Sequence, residues 1–238
     1  MSISILIGHR GSPTIKPENT IASFKEALDE GMNSIELDVR AALDGIVVMH
    51  DCSVNRTTNG AGTVASLTLE KIAQLKSREE SVPTLGEALK FLSSRCHKIF
   101  IEIKSEELDI EERVLEVVAN SLKNYDSVVI TSFYPDILAR VKELQPELET
   151  GIIFHFLKRY KSLLAIHERI ETDYLIGGGA MLQMSHFVTE AKCRHFKLIV
   201  FDISSRGMFK RAEKLGLDGI ITDLPHVLRE ISIDTDLE

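Results

Sequence analysis

The chain has 238 residues, 44% of them apolar and 27% charged, which is the balance of an ordinary folded domain. Its formal net charge of -8 and the absence of any lysine or arginine block argue against nonspecific nucleic-acid binding. No apolar run approaches the roughly 18 residues that span a bilayer, and "MSISILIG" lacks both the positive start and the cleavage site of a signal peptide.

Short β-branched runs alternate along the chain with longer amphipathic segments. The runs predict strands at 3–8, 34–40, 98–104, 127–132, 150–154, 174–178, 197–203 and 218–223. The segments predict helices at 20–31, with Asn19 as N-cap, and at 84–94, 108–124, 135–145, 158–169, 185–194, 206–215 and 225–231. Eight strand and helix units predict an α/β fold, a closed (β/α)8 TIM barrel, with an open doubly wound sheet as the alternative.

One segment interrupts this alternation after the second predicted strand. "ALDGIVVMHD" predicts a hairpin arm that turns at Asp44 and Gly45, and residues of mixed character follow up to Pro83. The helical pattern of "TLEKIAQLK" favours a small ordered insertion over a loose loop. We therefore predict a single domain over residues 1–238, with an insertion over about 52–82 and a frayed tail, "SIDTDLE".

Acidic residues lie near the C-terminal ends of two predicted strands. Residues two apart on a strand share a face, so Glu36 and Asp38 point the same way, as do Glu102 and Lys104. Three buried carboxylates would repel one another, and a divalent cation would resolve this. All-oxygen ligation favours Mg²⁺ or Ca²⁺, with Mn²⁺ as an alternative, over zinc. The competing interpretation is that these charges pair with lysine or arginine and hold no metal.

Two histidines are expected at the same rim of the barrel. His9 ends the first predicted strand, and His50 ends the hairpin arm beside Asp51. Imidazoles exchange protons near neutral pH, so two of them flanking a metal suit a general acid and a general base, in an order that spacing leaves open. Of the other histidines, at 97, 155, 167, 186, 195 and 226, only His155 is retained as a weak candidate, because it follows the fifth strand.

Arg10 and Lys104 add two fixed positive charges to this rim. With three carboxylates and one divalent cation, they leave room for a substrate that carries a single negative charge. A phosphodiester carries one such charge, and its leaving alkoxide needs both an acid and electrostatic help. The charge balance therefore favours phosphodiester cleavage.

The cysteines, Cys52, Cys96 and Cys193, are odd in number and widely spaced, and no pair of them has the spacing of a zinc or redox motif. We expect free thiols in a reducing compartment, which predicts a cytoplasmic enzyme.

Nine short motifs follow one another in order between residues 9 and 225. They are "HRG" (9–11), "PENT" (17–20), "ELD" (36–38), "HD" (50–51), "RTTNGAGTV" (56–64), "PTLGEAL" (83–89), "EIK" (102–104), "SF" (132–133) and "GLDGIITDLP" (216–225). This ordered set resembles the glycerophosphodiester phosphodiesterase family. The resemblance implies a TIM barrel with a small insertion after strand two, which hydrolyses glycerophosphodiesters to glycerol 3-phosphate and an alcohol. It also implies a divalent metal and a place in glycerol and lipid metabolism.

The resemblance assigns the two central kinds of group in the site. His9 and His50 match the family's catalytic histidines. Glu36, Asp38 and Glu102 match its metal ligands.

The resemblance also implies substrate contacts. Arg10 and Lys104 match the family's phosphate-contacting bases, and Glu18 and Asn19 match the motif that closes the site behind strand one. We therefore count Glu18 among the substrate-binding residues.

The chain departs from the family near the end of the seventh strand. A Trp-Thr-Val-Asn stretch is common there, whereas this chain has "FDIS" at 201–204 and no tryptophan. Phe201 offers an aromatic wall to the glycerol or to the head group. Asp202 adds a negative charge that either faces the outer helix layer or biases the pocket toward a cationic alcohol such as choline or ethanolamine.

Two other functions are open on the sequence alone. A related barrel with the same histidines would release a cyclic phosphate, as phospholipase C or phospholipase D-like lyases do. A barrel that binds a phosphodiester without turnover is disfavoured, because every charged group that the chemistry needs is present. The expected partner is a small-molecule glycerophosphodiester, and the sequence defines neither its head group nor the oligomeric state.

Overall fold

Parallel strands close into a barrel in the computed structural model of this chain, which describes residues 3–104, 107, 109–155 and 160–229. The strands are β1 (Ile5–His9), β2 (Ser34–Ala41), β3 (Ile46–Val48), β4 (Lys76–Ser77), β5 (Glu80–Ser81), β6 (Lys98–Ile103), β7 (Val128–Ser132), β8 (Glu149–Phe154), β9 (Tyr174–Gly177), β10 (Lys197–Val200) and β11 (Gly219–Thr222). β1 pairs in parallel with both β2 and β11, and β6 to β10 complete the ring. The predicted (β/α)8 barrel is confirmed, and the open doubly wound sheet is wrong.

Helices alternate with the barrel strands, and one further helix, α2 (Leu69–Ala73), lies in the insertion. They are α1 (Ile21–Asp29), α2 (Leu69–Ala73), α3 (Leu85–Leu92), α4 (Ile110–Ser121), α5 (Pro135–Leu144), α6 (Tyr160–Ile170), α7 (Ser185–Cys193) and α8 (Arg206–Leu215). A further helical segment covers residues 225–229. The predicted helical residues 108, 158, 159, 230 and 231 and the predicted frayed tail lie outside the described residues.

α1 begins one residue later than the sequence predicts. The Thr20 hydroxyl accepts a hydrogen bond from the Ser23 backbone N–H, so Thr20 is the N-cap. Asn19 has a φ of 58° instead, and its side chain donates to the Asp38 carboxylate over 2.8 Å. The prediction of Asn19 as the cap is wrong because its amide bonds to a carboxylate at the barrel mouth rather than to the helix.

Strand periodicity sorts the apolar side chains into two layers. The barrel interior is filled by Ile5, Ile7, Phe100, Val129, Ile153, Tyr174, Ile176, Ile199 and Ile221. A larger cluster, which includes Phe24, Leu37 and Ile101, packs between the strands and the helices. Because every second residue of a strand faces inward, the positions that follow the interior isoleucines toward the C-terminal ends also face inward. They are His9, Glu102, His155 and Asp223 at the ends of β1, β6, β8 and β11, whereas the apolar Phe201 follows Ile199 of β10.

The insertion begins as a hairpin on the end of β2. β3 pairs antiparallel with β2, with Val39 opposite Val48, and the Ala42 N–H donates to the Gly45 carbonyl over 2.8 Å to close the turn. This confirms the predicted hairpin. A separate apolar cluster then packs α2 and its flanking loops against the hairpin: Ala42, Val47, Met49, Val54, Val64, Ile72 and Val82.

β10 ends earlier than the sequence predicts. The predicted strand covers 197–203, whereas the observed strand stops at Val200. Asp202 has a left-handed φ of 63°, a conformation that a strand does not contain and that Asp tolerates better than most residues. The chain therefore turns immediately after Phe201.

Charged residues close the N-terminal end of the barrel. Glu149 at the start of β8 accepts hydrogen bonds of 2.5 Å from both Lys98 and Lys197, which start β6 and β10. The Lys197 ammonium lies 4.8 Å from the centre of the Tyr174 ring. Burial alone would raise the pKa of Glu149, but the two lysines bring it below its usual value. The cluster therefore stabilises the folded barrel only while Glu149 is ionised.

Replacing Glu149 with Gln is expected to lower the free energy of unfolding by about 1–2 kcal/mol at neutral pH, because two partly buried lysines lose their counter-ion. The folded-state pKa of Glu149 lies below the unfolded value, so this contribution is present above about pH 4.3 and is lost as the pH falls through the folded pKa. Urea unfolding of both proteins across this range measures the difference. A Glu116→Gln variant, altered at an exposed position of α4, is the control, and a difference that persists at low pH would contradict the assignment.

Candidate active site

His9 lies at the C-terminal end of β1, in register with Glu36 on β2. Its Nδ1 is 2.6 Å from the Asp223 carboxylate, and its Nε2 is 3.9 Å from the Glu36 carboxylate. Burial alone would lower the pKa of His9, but the hydrogen bond to Asp223 and the charge of Glu36 raise it to about 9. The sequence reasoning missed Asp223, which the closure of the barrel brings to His9 from the far end of the chain.

His50 has a carboxylate partner of its own, although this one is its neighbour in sequence. The His50 Nδ1 lies 2.7 Å from Asp51, and Arg40 donates a 2.7 Å hydrogen bond to the His50 carbonyl. Burial lowers the pKa of His50 below its usual value, in spite of Asp51. Both predicted histidines therefore line the mouth of the barrel, each oriented by a carboxylate at Nδ1.

Glu36, Asp38 and Glu102 form the buried acidic cluster that the strand spacing predicts. Asp38 on β2 lies directly opposite Glu102 on β6, and one oxygen from each of the three carboxylates lies within 4.8 Å of the others. Burial, followed by the charges of Asp38 and Glu102, raises the pKa of Glu36 to about 8. The cluster therefore places three carboxyl groups where water does not solvate them and where their full ionisation needs a cation.

Two cations contact this cluster. The Arg10 Nε is 3.0 Å from one Asp38 oxygen, and the Lys104 ammonium donates to Glu102 over 2.7 Å and lies 3.5 Å from Asp38. The ion pairs of the metal-free interpretation therefore form, but two cations face three carboxylates. Among the described residues, Glu36 Oε1 and Asp38 Oδ1 are buried without a hydrogen bond, and the Lys104 ammonium is 3.5 Å from this Asp38 oxygen. A divalent cation would satisfy these two oxygens, so the residues fit a metal site.

Glu18 holds two arginines together at the edge of the site. Its carboxylate accepts a 3.0 Å hydrogen bond from Arg10 and two of 2.8 Å from Arg56. Arg56, which comes from the insertion, also donates to Asp51 over 2.6 Å. A continuous chain of charged contacts thus runs from Arg10 through Glu18, Arg56 and Asp51 to His50. Only the folded insertion reveals this role of Arg56.

The backbone turns sharply after His9. Arg10 has a φ of 55° and Gly11 a φ of 88°. A side chain at Gly11 would lie only 2.5 Å from the Ser23 backbone on α1. The Arg10 N–H donates to the Glu36 carbonyl over 2.9 Å, which fixes the turn against β2. The "HRG" sequence therefore aims a histidine and an arginine at one site from adjacent positions.

A pocket of about 260 Å³ lies in the barrel mouth over these groups. It is lined by His9, Arg10, Glu36, His50, Glu102, Lys104, Phe133, Ile153, His155, Ile176, Phe201, Asp202 and Ile221. Glu18 is not among the lining residues; it bonds Arg10, which lines the pocket, and is linked to His50 through Arg56 and Asp51. Phe201 and the weak candidate His155 both line it. The pocket has a charged half over β1, β2 and β6 and an apolar half over β7 to β10.

A (β/α)8 barrel with its ionisable groups at the C-terminal ends of the strands defines a TIM-barrel enzyme. The profile of the Glycerophosphoryl diester phosphodiesterase family matches residues 9–227, and the chain belongs to this family. The predicted family and enzyme class are confirmed.

Two similar sequences and one solved structure agree with this membership. The chain is 35% identical to the glycerophosphodiester phosphodiesterase of Caldanaerobacter subterraneus over 94% of its own length and 96% of the relative's. It is 31% identical to that of Bacillus altitudinis over 92% and 94%. An Oleispira antarctica phosphodiesterase, solved in complex with the product sn-glycerol-3-phosphate, superposes with a TM-score of 0.86 at 26% identity, covering 98% of this chain and 97% of the other. No helix in the described part of the chain has the length and apolar character needed to cross a bilayer.

Adding Mg²⁺, Ca²⁺ or Mn²⁺ is expected to raise the melting temperature of the chelator-treated protein, and Glu36→Gln is expected to remove most of that rise. A cation held only by the folded protein stabilises it by about 2.7 kcal/mol at a concentration one hundred times its Kd. Thermal unfolding with each metal titrated in turn measures the shift.

Without metal, Glu36→Gln is not expected to destabilise the protein. Burial beside Asp38 and Glu102 raises the pKa of Glu36 to about 8, so its ionised form is costly without metal, and a neutral amide in its place should leave the metal-free variant at least as stable as the metal-free wild type. Glu116→Gln is the matched control and should respond to metal as the wild type does. An equal response of Glu36→Gln to metal would rule out Glu36 as a ligand.

Proposed function

We propose that this protein hydrolyses glycerophosphodiesters to glycerol 3-phosphate and an alcohol. The observation that carries the proposal is the joint placement of two carboxylate-bonded histidines around the buried acidic cluster, in one pocket. The names of the relatives and the sn-glycerol-3-phosphate bound to the Oleispira antarctica phosphodiesterase support this substrate class.

The phosphate group lies, in this proposal, against the charged half of the pocket. Arg10 and Lys104 contact its oxygens through groups that the acidic cluster already holds in place. Glu36, Asp38 and Glu102 would hold a divalent metal, Mg²⁺ or Ca²⁺ with Mn²⁺ as the alternative, whose charge offsets that of the phosphoryl oxygens when it is bound. Neutralising the phosphodiester favours attack on phosphorus.

His9 and His50 carry the proton transfers. One imidazole takes a proton from the attacking water as the new P–O bond forms, and the other gives a proton to the alkoxide as the old P–O bond breaks. Asp223 and Asp51 each face the Nδ1 of their histidine, which directs the proton to Nδ1 and leaves Nε2 for the reaction. Water and the phosphodiester thus give the phosphomonoester and the alcohol, and no further reactant is needed.

Glu18 and Phe201 have different roles in the proposal. Glu18 orients the Arg10 guanidinium from outside the pocket and so acts on the substrate through Arg10. Phe201 contacts the substrate directly from the apolar half.

The organisation of the chain and its compartment belong to the same proposal. We treat residues 1–238 as one domain with an insertion over about 52–82, because the insertion packs on β3 and supplies Arg56 to the site. Free Cys52, Cys96 and Cys193 support a reducing, cytoplasmic location.

The metal-loaded protein is expected to release glycerol 3-phosphate from a panel of glycerophosphodiesters, followed with a coupled dehydrogenase. His9→Ala and His50→Ala should each lower kcat by about 10²-fold or more, because each removes a proton-transfer group. Circular dichroism and the melting temperature establish that each variant is folded.

The outcomes of this assay are distinct. No release from any diester would overturn the hydrolase, and tight binding without release would identify a binding barrel. A cyclic phosphate as the final product in phosphorus NMR would identify a lyase. Full activity of either folded variant would exclude that histidine from proton transfer.

Asp51→Asn is expected to lower kcat by about tenfold or more, which is part of the 10²–10⁴-fold that a positioned acid or base contributes. The Asp51 carboxylate raises the pKa of His50, so its loss should also move the His50 limb of the pH–rate profile to lower pH. Profiles of kcat/KM for wild type and variant measure both effects. A drop in rate with an unmoved profile would indicate a structural role instead.

A further inference from the structure

The apolar half of the pocket is an aromatic wall. The His155 ring stacks on Phe133, with centroids 4.9 Å apart and planes at 24°, and meets Phe201 edge to face at 5.4 Å and 87°. Gly178 leaves space for this arrangement, because a Cβ there would lie 3.3 Å from the Phe201 ring. The isoleucines at 153, 176 and 221 complete the lining. Such a surface offers π faces and few hydrogen-bond partners.

Asp202 adds one negative charge to this wall. Side chains normally alternate across a strand, so Phe201 and Asp202 should face opposite sides. The left-handed φ of 63° at Asp202 breaks the alternation, and both residues line the pocket. Asp202 is exposed, and in the described part of the chain its carboxylate has no hydrogen bond or ion pair. The outward-facing alternative of the sequence analysis is therefore wrong.

The wall is continuous with the phosphate-binding end of the pocket. Lys104, which bonds Glu102, also places its ammonium 5.7 Å from the centre of the Phe133 ring. The order of groups from the charged half is therefore Lys104, Phe133, His155 and then Phe201 with Asp202. When the phosphate of a substrate is held at Lys104, one of its two ester arms can extend along this wall.

We propose that the aromatic wall and Asp202 form a subsite for an alcohol that carries a trimethylammonium group, so that the protein prefers glycerophosphocholine-type diesters. This inference rests on the proposed hydrolase function. Aromatic faces attract methylated cations through the ring quadrupole, and Asp202 supplies a counter-charge. In such an alcohol two methylene groups separate the ester oxygen from the cation, which places the cation beyond the phosphate and away from Lys104.

The test compares kcat/KM for diesters that share glycerol phosphate and differ only in the alcohol. Asp202→Asn keeps the shape of the side chain and tolerates a positive φ, so it removes the charge with little change in structure. We expect kcat/KM for glycerophosphocholine to fall about fivefold, with little change for diesters of glycerol or inositol. Phe201→Leu removes a ring that contacts the substrate, so it should lower kcat/KM for every diester, with a loss about threefold larger for glycerophosphocholine than for the diesters of glycerol or inositol. Glu116→Gln, which removes a distant negative charge, should change neither.

A binding measurement separates this inference from the hydrolase proposal. Calorimetry compares phosphocholine with its carbon isostere, in which a neutral tert-butyl group replaces the trimethylammonium cation and the phosphate is unchanged. We expect the wild type to bind phosphocholine about fivefold more tightly, and Asp202→Asn to lose most of this preference while the aromatic wall retains the rest.

Each outcome decides the inference. Equal binding of the two ligands by the wild type, or equal losses for all diesters, overturns the subsite and assigns the wall to the shared glycerol instead. If no diester is hydrolysed, the hydrolase proposal fails while the binding comparison still decides the subsite.

Discussion

The structure depends on one electrostatic constraint, the burial of three carboxylates at the mouth of the barrel beside only two fixed cations. A buried charge without a partner costs several kcal/mol, so the surrounding groups must be arranged around this excess. The amide of Asn19 bonds Asp38, Arg10 bridges Asp38 and Glu18, and Lys104 bonds Glu102. Even so, two carboxylate oxygens have no hydrogen bond among the described residues. These two oxygens are therefore left for a bound cation to contact, which is a property of a binding site rather than of a hydrophobic core.

The insertion helps to hold the charged groups around the acidic cluster in place. Arg10 is held in the site partly by Glu18, and Glu18 is held in turn by Arg56 of the insertion. Arg56 also bonds Asp51, which orients His50. Displacement of the insertion would thus remove the Arg56 contacts that hold Glu18 against Arg10 and Asp51 against His50, and so would loosen both groups at once. Packing of the insertion on β3 is coupled to catalytic geometry through these contacts, and not only to stability.

The part of the site that sequence could predict is the part built on regular strands. The period of two places Glu36 and Asp38 on one face, and the barrel register then sets Asp38 against Glu102. Residues whose backbone has a left-handed conformation depart from this alternation. Asn19 and Asp202 both have a positive φ, and each side chain points where no strand or capping rule places it. The Asp223 partner of His9 depends on closure between β1 and β11, which local pattern does not encode.

The two halves of the pocket are consequently built in different ways. The charged half is fixed by β1, β2 and β6 and by ion pairs that share members, since Arg10 contacts both Asp38 and Glu18 and Lys104 contacts both Glu102 and Asp38, so a substitution there disturbs several groups at once. The apolar half lies at strand ends, where Phe201 and Asp202 follow the end of β10 and contact the rest of the site through His155, Phe133 and finally Lys104. A change at Asp202 can therefore alter which alcohol the pocket accepts while the buried charge cluster keeps its geometry. Selectivity and chemistry are separable in this barrel because the contacts between the two halves are weak ring contacts, whereas those within the charged half are short ion pairs.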